Sequence, residues 1–90
     1  DSICLDPSHN FFAVADGMGG HNGGDIASQM SVRIMPEYLA AHAKTEPDVL
    51  MKELIQKINQ SILEKAQANP DLQGMGTTIS CIYFAGPQLF

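Results

Sequence analysis

Between Gly17 and Gly24 five of eight residues are glycine, and this run follows directly on Phe11-Phe12-Ala13-Val14-Ala15 and Asp16. Glycine permits φ > 0 and close backbone approach, but it weakens the interior of a helix or strand. The composition therefore predicts a break after a strand that stops at Asp16. Phe11 to Ala15 does not alternate with polar residues, which is the pattern of a strand covered on both faces. Ser2 to Leu5 is a second short apolar run, and Asp6-Pro7-Ser8-His9-Asn10 between the two is rich in turn formers. The pair reads as a β-hairpin.

From Asp25 the period changes. Ile26, Met30 and Ile34 recur every four residues with Ala27 beside them, predicting a helix that Pro36 kinks or interrupts before Glu37–His42. Thr45 and Asp48 have the spacing of a capping box. After them Leu50 or Met51, Leu54, Ile55, Ile58 and Ile62 form the apolar stripe of a second helix that stops near Asn69-Pro70. Thr77 to Ala85 is rich in Thr, Ile, Tyr and Phe and reads as a strand, entered through Gly74-Met75-Gly76 and ended by Gly86-Pro87. Gln88-Leu89-Phe90 reads as the start of a further element. The order β-β-α-α-β is that of an α+β domain in which two helices cover one face of a sheet.

Ninety residues support one domain at most. Ten acidic against five basic side chains give a formal charge of −5, and no Lys/Arg cluster is present, which argues against a nucleic-acid backbone as partner. No run of about 18 apolar residues exists, so a membrane-spanning helix is not expected. Cys4 and Cys81 stand within apolar runs, at a spacing unlike that of metal ligands. Two buried, reduced thiols fit a cytoplasmic protein. Charged residues make up 17% of the chain where about 25% is usual, so polar surface is scarce for a free-standing domain of this size.

A carboxylate at the end of a buried strand is held rigidly, and a glycine after it lets backbone oxygens turn toward the same point. Asp16-Gly17 is therefore a candidate site for a hard divalent cation such as Mg²⁺, Mn²⁺ or Ca²⁺. The same glycines could instead offer backbone N–H groups to a phosphate at a helix N-terminus. Neither G-x-G-x-x-G nor the Gly-Lys-Ser/Thr ending of a P-loop is present, however. Asp25 at that position complements a helix N-terminus. His21 lies in the glycine run and either braces it or reaches a bound water or leaving group. His9 in the turn and His42 near a helix end read as structural. Met18, Met30, Met35, Met51 and Met75 read as gap fillers, and Thr77 and Thr78 as strand residues that could also back the loop.

Phe11 to Ser28, followed about fifty residues later by Gly74-Met75-Gly76-Thr77-Thr78, closely resembles the bacterial branch of the metal-dependent (PPM, type 2C) serine/threonine protein phosphatases. The resemblance covers essentially the whole chain, which matches the N-terminal third or so of that family's domain. It implies an antiparallel β-sandwich flanked by helix pairs, two Mn²⁺ or Mg²⁺ ions, and phosphoprotein substrates phosphorylated by a serine/threonine kinase. Residue by residue, Asp16 matches the carboxylate that bridges the two ions, and Gly17 matches the residue whose carbonyl ligates one of them. Asp1 matches the last acid of the stretch that helps to hold them. The implied reaction is phosphomonoester hydrolysis by a metal-activated water. The family's phosphate-binding arginine and its later Gly-Asp-Ser-Arg segment and aspartates have no counterpart in residues 1–90. Met18 stands where eukaryotic relatives carry a histidine. A non-catalytic relative serving as a regulatory or interaction module, and a phosphate- or nucleotide-binding module built on the glycine run, remain the alternatives.

Overall fold

A computed structural model describes the backbone of residues 1–18 and 21–90 and the side chains of residues 1–18 and 23–90. Strands β1 (Ser2–Asp6) and β2 (Phe11–Met18) are followed by helices α1 (His21–Ala41) and α2 (Pro47–Ala68). Strands β3 (Gly76–Ala85) and β4 (Gln88–Leu89) complete the order. The strands form one antiparallel sheet in the order β1-β2-β3-β4, with Ser2 opposite Ala15 and Phe11 opposite Tyr83. The expected α+β class and element order are present, and Gln88-Leu89 adds a short strand against Phe84-Ala85.

The glycine run departs from its composition. Strand β2 continues through Asp16 and Gly17 to Met18, and α1 already begins at His21, so Gly23 and Gly24 lie in its first turn rather than in a loop. Asp25 is consequently not at the helix start, and the expected dipole role for it falls away. Tertiary packing overrides the poor helix propensity of glycine here, as it commonly does.

Helix α1 also turns a different row inward. Ala27, Ser31, Met35 and Leu39 are buried, one residue on from the expected Ile26, Met30 and Ile34, which flank the row half-buried. Small residues at 27 and 31 let the helix axis come close to the sheet while the larger side chains straddle the contact. The buried Ser31 hydroxyl donates to Ala27 O at 2.8 Å, so it carries no unpaired polar atom into the core. Pro36 does not end the helix, which continues to Ala41. It forgoes one backbone hydrogen bond and keeps its place through packing.

Helix α2 starts at Pro47, with Glu46 as N-cap and no side-chain capping bond, so the Thr45/Asp48 capping box does not form. Proline at the first helical position is preset for a helix and needs no donor there. Leu50, Leu54, Ile58, Ile62 and Ala66 are buried in a strict four-residue row, while Ile55 stays exposed. Four such aliphatic side chains, at about 2 kcal/mol each, dominate the helix's stability. They face α1 more than the sheet: α1 lies on β1, β2 and β3, whereas α2 packs chiefly on α1 and on the Pro70–Leu72 turn. The expectation that both helices cover the sheet face is thus corrected: α1 covers it, and α2 packs behind α1.

Strand β2 is covered on one face only. Phe11, Ala13 and Ala15 point at α1 and are buried, whereas Phe12 and Val14 are exposed. With Ile3, Leu5, Ile82, Phe84 and Leu89 they make the far face of the sheet an apolar surface. The folded area of 5695 Å² exceeds the roughly 5,100 Å² of a compact monomer of this mass, as a sheet with a bare apolar face requires.

The β1–β2 turn is fixed by a polar cluster. The buried Asp6 carboxylate lies 2.6 Å from His9 Nδ1 and accepts the Ser8 hydroxyl at 2.8 Å. Burial works against its charge, but the bonds from His9 and Ser8 outweigh that and hold its carboxyl below the usual carboxylate range. A carboxyl lowered in the folded state stabilises fully above its unfolded value near 3.9, and that contribution is lost as pH falls through the lower folded value. His9→Ala should therefore lower the unfolding free energy by about 1 kcal/mol near neutrality. In urea titrations followed by circular dichroism the gap to wild type should close as pH falls below the ordinary carboxylate range. A gap of constant size across that range contradicts the arrangement.

Candidate metal centre at one end of the sheet

Side chains alternate across a strand, and the register decides which of them meet. On β2, Asp16 shares the face of Phe12 and Val14, opposite α1, and is exposed. Ser2, the last paired residue of β1, sits opposite Ala15 on the helix-facing side, so Asp1 stands just beyond the ladder at the end where Asp16 lies. Thr78 of β3 is paired with Asp16 from the other side, and its hydroxyl donates to Asp16 O at 3.4 Å. The two acids singled out in the sequence thus stand at the same end of the sheet, and Gly17 follows Asp16 on β2.

In kind, these donors fit a hard cation. Two carboxylates and a backbone carbonyl are the oxygen ligands that Mg²⁺ and Mn²⁺ take. In number they fall short, because among the described residues no group of three or more His, Cys, Asp or Glu side chains gathers. His21's side chain lies outside the described residues.

The glycines at this end have a packing role that composition did not reveal. A β-carbon placed on Gly17 would lie 1.9 Å from the carbonyl oxygen of Gly24, and one on Gly23 would lie 3.1 Å from Met75 Cβ. The first turn of α1 therefore rests on bare strand backbone. Met18 is half-exposed and, with Ile55, Ile62, Met75 and Ile79, lines an apolar groove of about 380 Å³ between α2 and the start of β3. It acts as a wall residue there more than a gap filler, whereas Met35 and Met75 are buried as expected.

The remaining candidates are structural. His9 belongs to the Asp6 cluster. His42 stacks on Tyr38 with ring centroids 4.0 Å apart and places Nδ1 3.0 Å from Tyr38 O. Tyr38 in turn donates to Glu53 of α2 at 3.3 Å, and desolvation together with that carboxylate pushes its hydroxyl above the ordinary value. Cys4 and Cys81 are free and stand on either side of Ala13 in the ladder. Two strand spacings, about 9.6 Å, put them beyond disulfide reach. Burial raises both thiols, and the nearby Asp6 charge raises Cys4 further, so neither is a ready nucleophile.

Residues 2–90 match the protein phosphatase 2C family. The chain is 40% identical over 80 residues to the serine/threonine phosphatase stp of Listeria monocytogenes, an alignment that covers 84% of this chain and 32% of the relative. It is 39% identical over 84 residues to the serine/threonine protein phosphatase PstP of Mycobacterium tuberculosis, covering 86% of this chain and 15% of PstP. Among solved structures, the PstP catalytic domain in complex with two manganese ions superposes with a TM-score of 0.84 at 32% identity. It covers 98% of this chain and 37% of that one. A second PstP structure gives 0.76 at 35% identity, with the same coverage. The chain thus spans about a third of the length of the curated Listeria relatives it matches.

Gly17 is only half-buried, and an ordinary substitution at such a site stays within about 0.5 kcal/mol. The contact with Gly24 makes it different. Gly17→Ala should cost about 3 kcal/mol, because the obstructing atoms are backbone and cannot rotate away. In thermal unfolding this corresponds to a midpoint lower by more than about 10 °C. A midpoint within about 2 °C of wild type would mean that α1 does not sit on this strand.

Proposed function

The chain belongs to the protein phosphatase 2C family, and from that premise we propose that the protein carrying it is a metal-dependent serine/threonine phosphatase acting on phosphoproteins. The observation that supports this reading is the strand register, which sets Asp16 on the outer sheet face, with Gly17 next on the same strand and Asp1 just before β1 at the same end of the sheet. That is the donor chemistry the reaction needs, on a support too stiff to drift.

Asp16 and Asp1 supply carboxylate oxygens, and Gly17 supplies a main-chain oxygen. When bound, Mn²⁺ or Mg²⁺ at these donors supplies a low-pKa water and neutralises charge on the phosphoryl oxygens. The chain's own part is orientation: β2 is paired with β1 up to Ala15 and with β3 at Asp16 itself, and exposure leaves the Asp16 carboxylate open to solvent. No nucleophilic side chain is required, which agrees with the raised thiols of Cys4 and Cys81. The opposing activity is a serine/threonine kinase, and two unpaired cysteines favour a reducing, cytoplasmic setting.

Two measurements test this. In a full-length protein carrying residues 1–90, hydrolysis of p-nitrophenyl phosphate should need Mn²⁺ or Mg²⁺ and stop in EDTA. Asp16→Asn should lower kcat/KM by roughly 10³-fold, the loss of several kcal/mol of metal-borne stabilisation. Turnover that survives EDTA overturns the reading. The 90-residue chain alone, with an incomplete donor set, should bind Mn²⁺ weakly and show little or no turnover. Tight calorimetric binding that persists in both Asp16→Asn and Asp1→Asn would place the cation elsewhere.

A further inference from the structure

We propose that Gly24 is a positioning residue for the metal centre: the first turn of α1, bare at this residue, sets the plane of the peptide that follows Gly17 without touching the cation. The proposal rests on the phosphatase reading. Its observation is a contact with no side chain on either side. A β-carbon on Gly24 would lie 3.0 Å from both Gly17 C and Met18 N and 3.3 Å from Gly17 O. These three atoms are the peptide unit whose oxygen is the proposed donor. From the other direction a β-carbon on Gly17 would meet the oxygen, carbon and Cα of Gly24 at 1.9, 2.3 and 2.8 Å.

The peptide is therefore clamped. Gly24 closes on it from the helix side, and the Thr78 hydroxyl reaches the adjacent Asp16 carbonyl from β3. Gly24 is itself buried, and its neighbour Gly23 faces Met75, so the helix start has packed neighbours that oppose its retreat. Adding one methyl at Gly24 obliges the Gly17–Met18 peptide to tilt or shift by a few tenths of an ångström. Metal affinity is sensitive to such support: losing an outer contact that orients a ligand typically costs 10- to 100-fold. Linkage makes the effect reciprocal, so a cation held at Gly17 must also steady the first turn of α1.

The experiment uses a full-length protein carrying residues 1–90, with Mn²⁺ binding measured by calorimetry beside turnover of p-nitrophenyl phosphate. Gly24→Ala should weaken Mn²⁺ binding about tenfold or more. Its KM for p-nitrophenyl phosphate at saturating Mn²⁺ should stay within about twofold of wild type, since no group that touches substrate has changed. Ala40→Gly, on the exposed side at the far end of the same helix, controls for general destabilisation and should leave the Mn²⁺ titration in place. If the Gly24→Ala and wild-type titrations superimpose, or the Ala40→Gly titration shifts equally, Gly24 is only a packing residue and the proposal fails. Should Gly24→Ala not fold, hydrogen exchange of the wild type decides. Mg²⁺ should slow the amides of residues 23–27 several-fold, and unchanged rates overturn the proposal. A wild type that neither binds Mn²⁺ nor turns over defeats the phosphatase reading first, which separates the two failures.

Discussion

The molecule depends on how closely one helix approaches one strand. Helix α1 meets β2 through Gly24 on Gly17, and its inward row is led by Ala27 and Ser31, while β2 offers Ala13 and Ala15. A seam of small residues brings the two backbones together, and larger side chains beside it, Met35, Leu39 and Phe11, fill the volume that the seam leaves open. Close packing of this kind transmits strain because interiors have little free volume. The position of the Asp16–Gly17 backbone is thereby made a property of the core.

The two faces of the sheet divide the work. The face toward α1 is hydrophobic and complete. The outer face carries apolar side chains from Ile3 to Leu89 along most of its extent and the Asp16 carboxylate at one end. Apolar surface of that extent is what a second layer buries, and a cation between oxygen donors gains from the lower dielectric that such a layer creates. The superposition on the PstP catalytic domain, of which this chain covers 37%, leaves most of that domain outside the matched strands and helices.

Much of this was legible in the sequence, for identifiable reasons. Element order followed from the change of period between Phe11–Ala15 and Ile26–Ile34, and the expectation of oxygen donors rested on Asp16-Gly17 standing after an apolar strand. What escaped were features set by contacts distant in the chain. The early start of α1 was hidden because glycine counts as a breaker locally, whereas here its bareness is what lets helix and strand touch. The inward face of α1 was misjudged by one position because large residues mark a stripe more strongly than Ala27 and Ser31 do, although the small ones are deepest. The missing capping box shows the same limit, since Pro47 sets the helix start through its fixed φ. Asp6 with Ser8 and His9 was visible only as turn composition. The carboxylate's burial is what converts those residues into a lock.

These features leave the two ends of β2 held by opposite means. At Phe11 the strand is pinned by a large buried ring against Tyr83 and by the polar turn at Asp6, interactions that use side chains and resist bending. At Gly17 it is pinned by backbone alone, with the neighbouring Asp16 carboxylate free to face solvent. Side chains committed to packing could not also serve as ligands. A site that needs oxygen donors in rigid array is therefore best placed where glycine supplies the contact, as Gly17 of β2 and Gly24 of α1 do here.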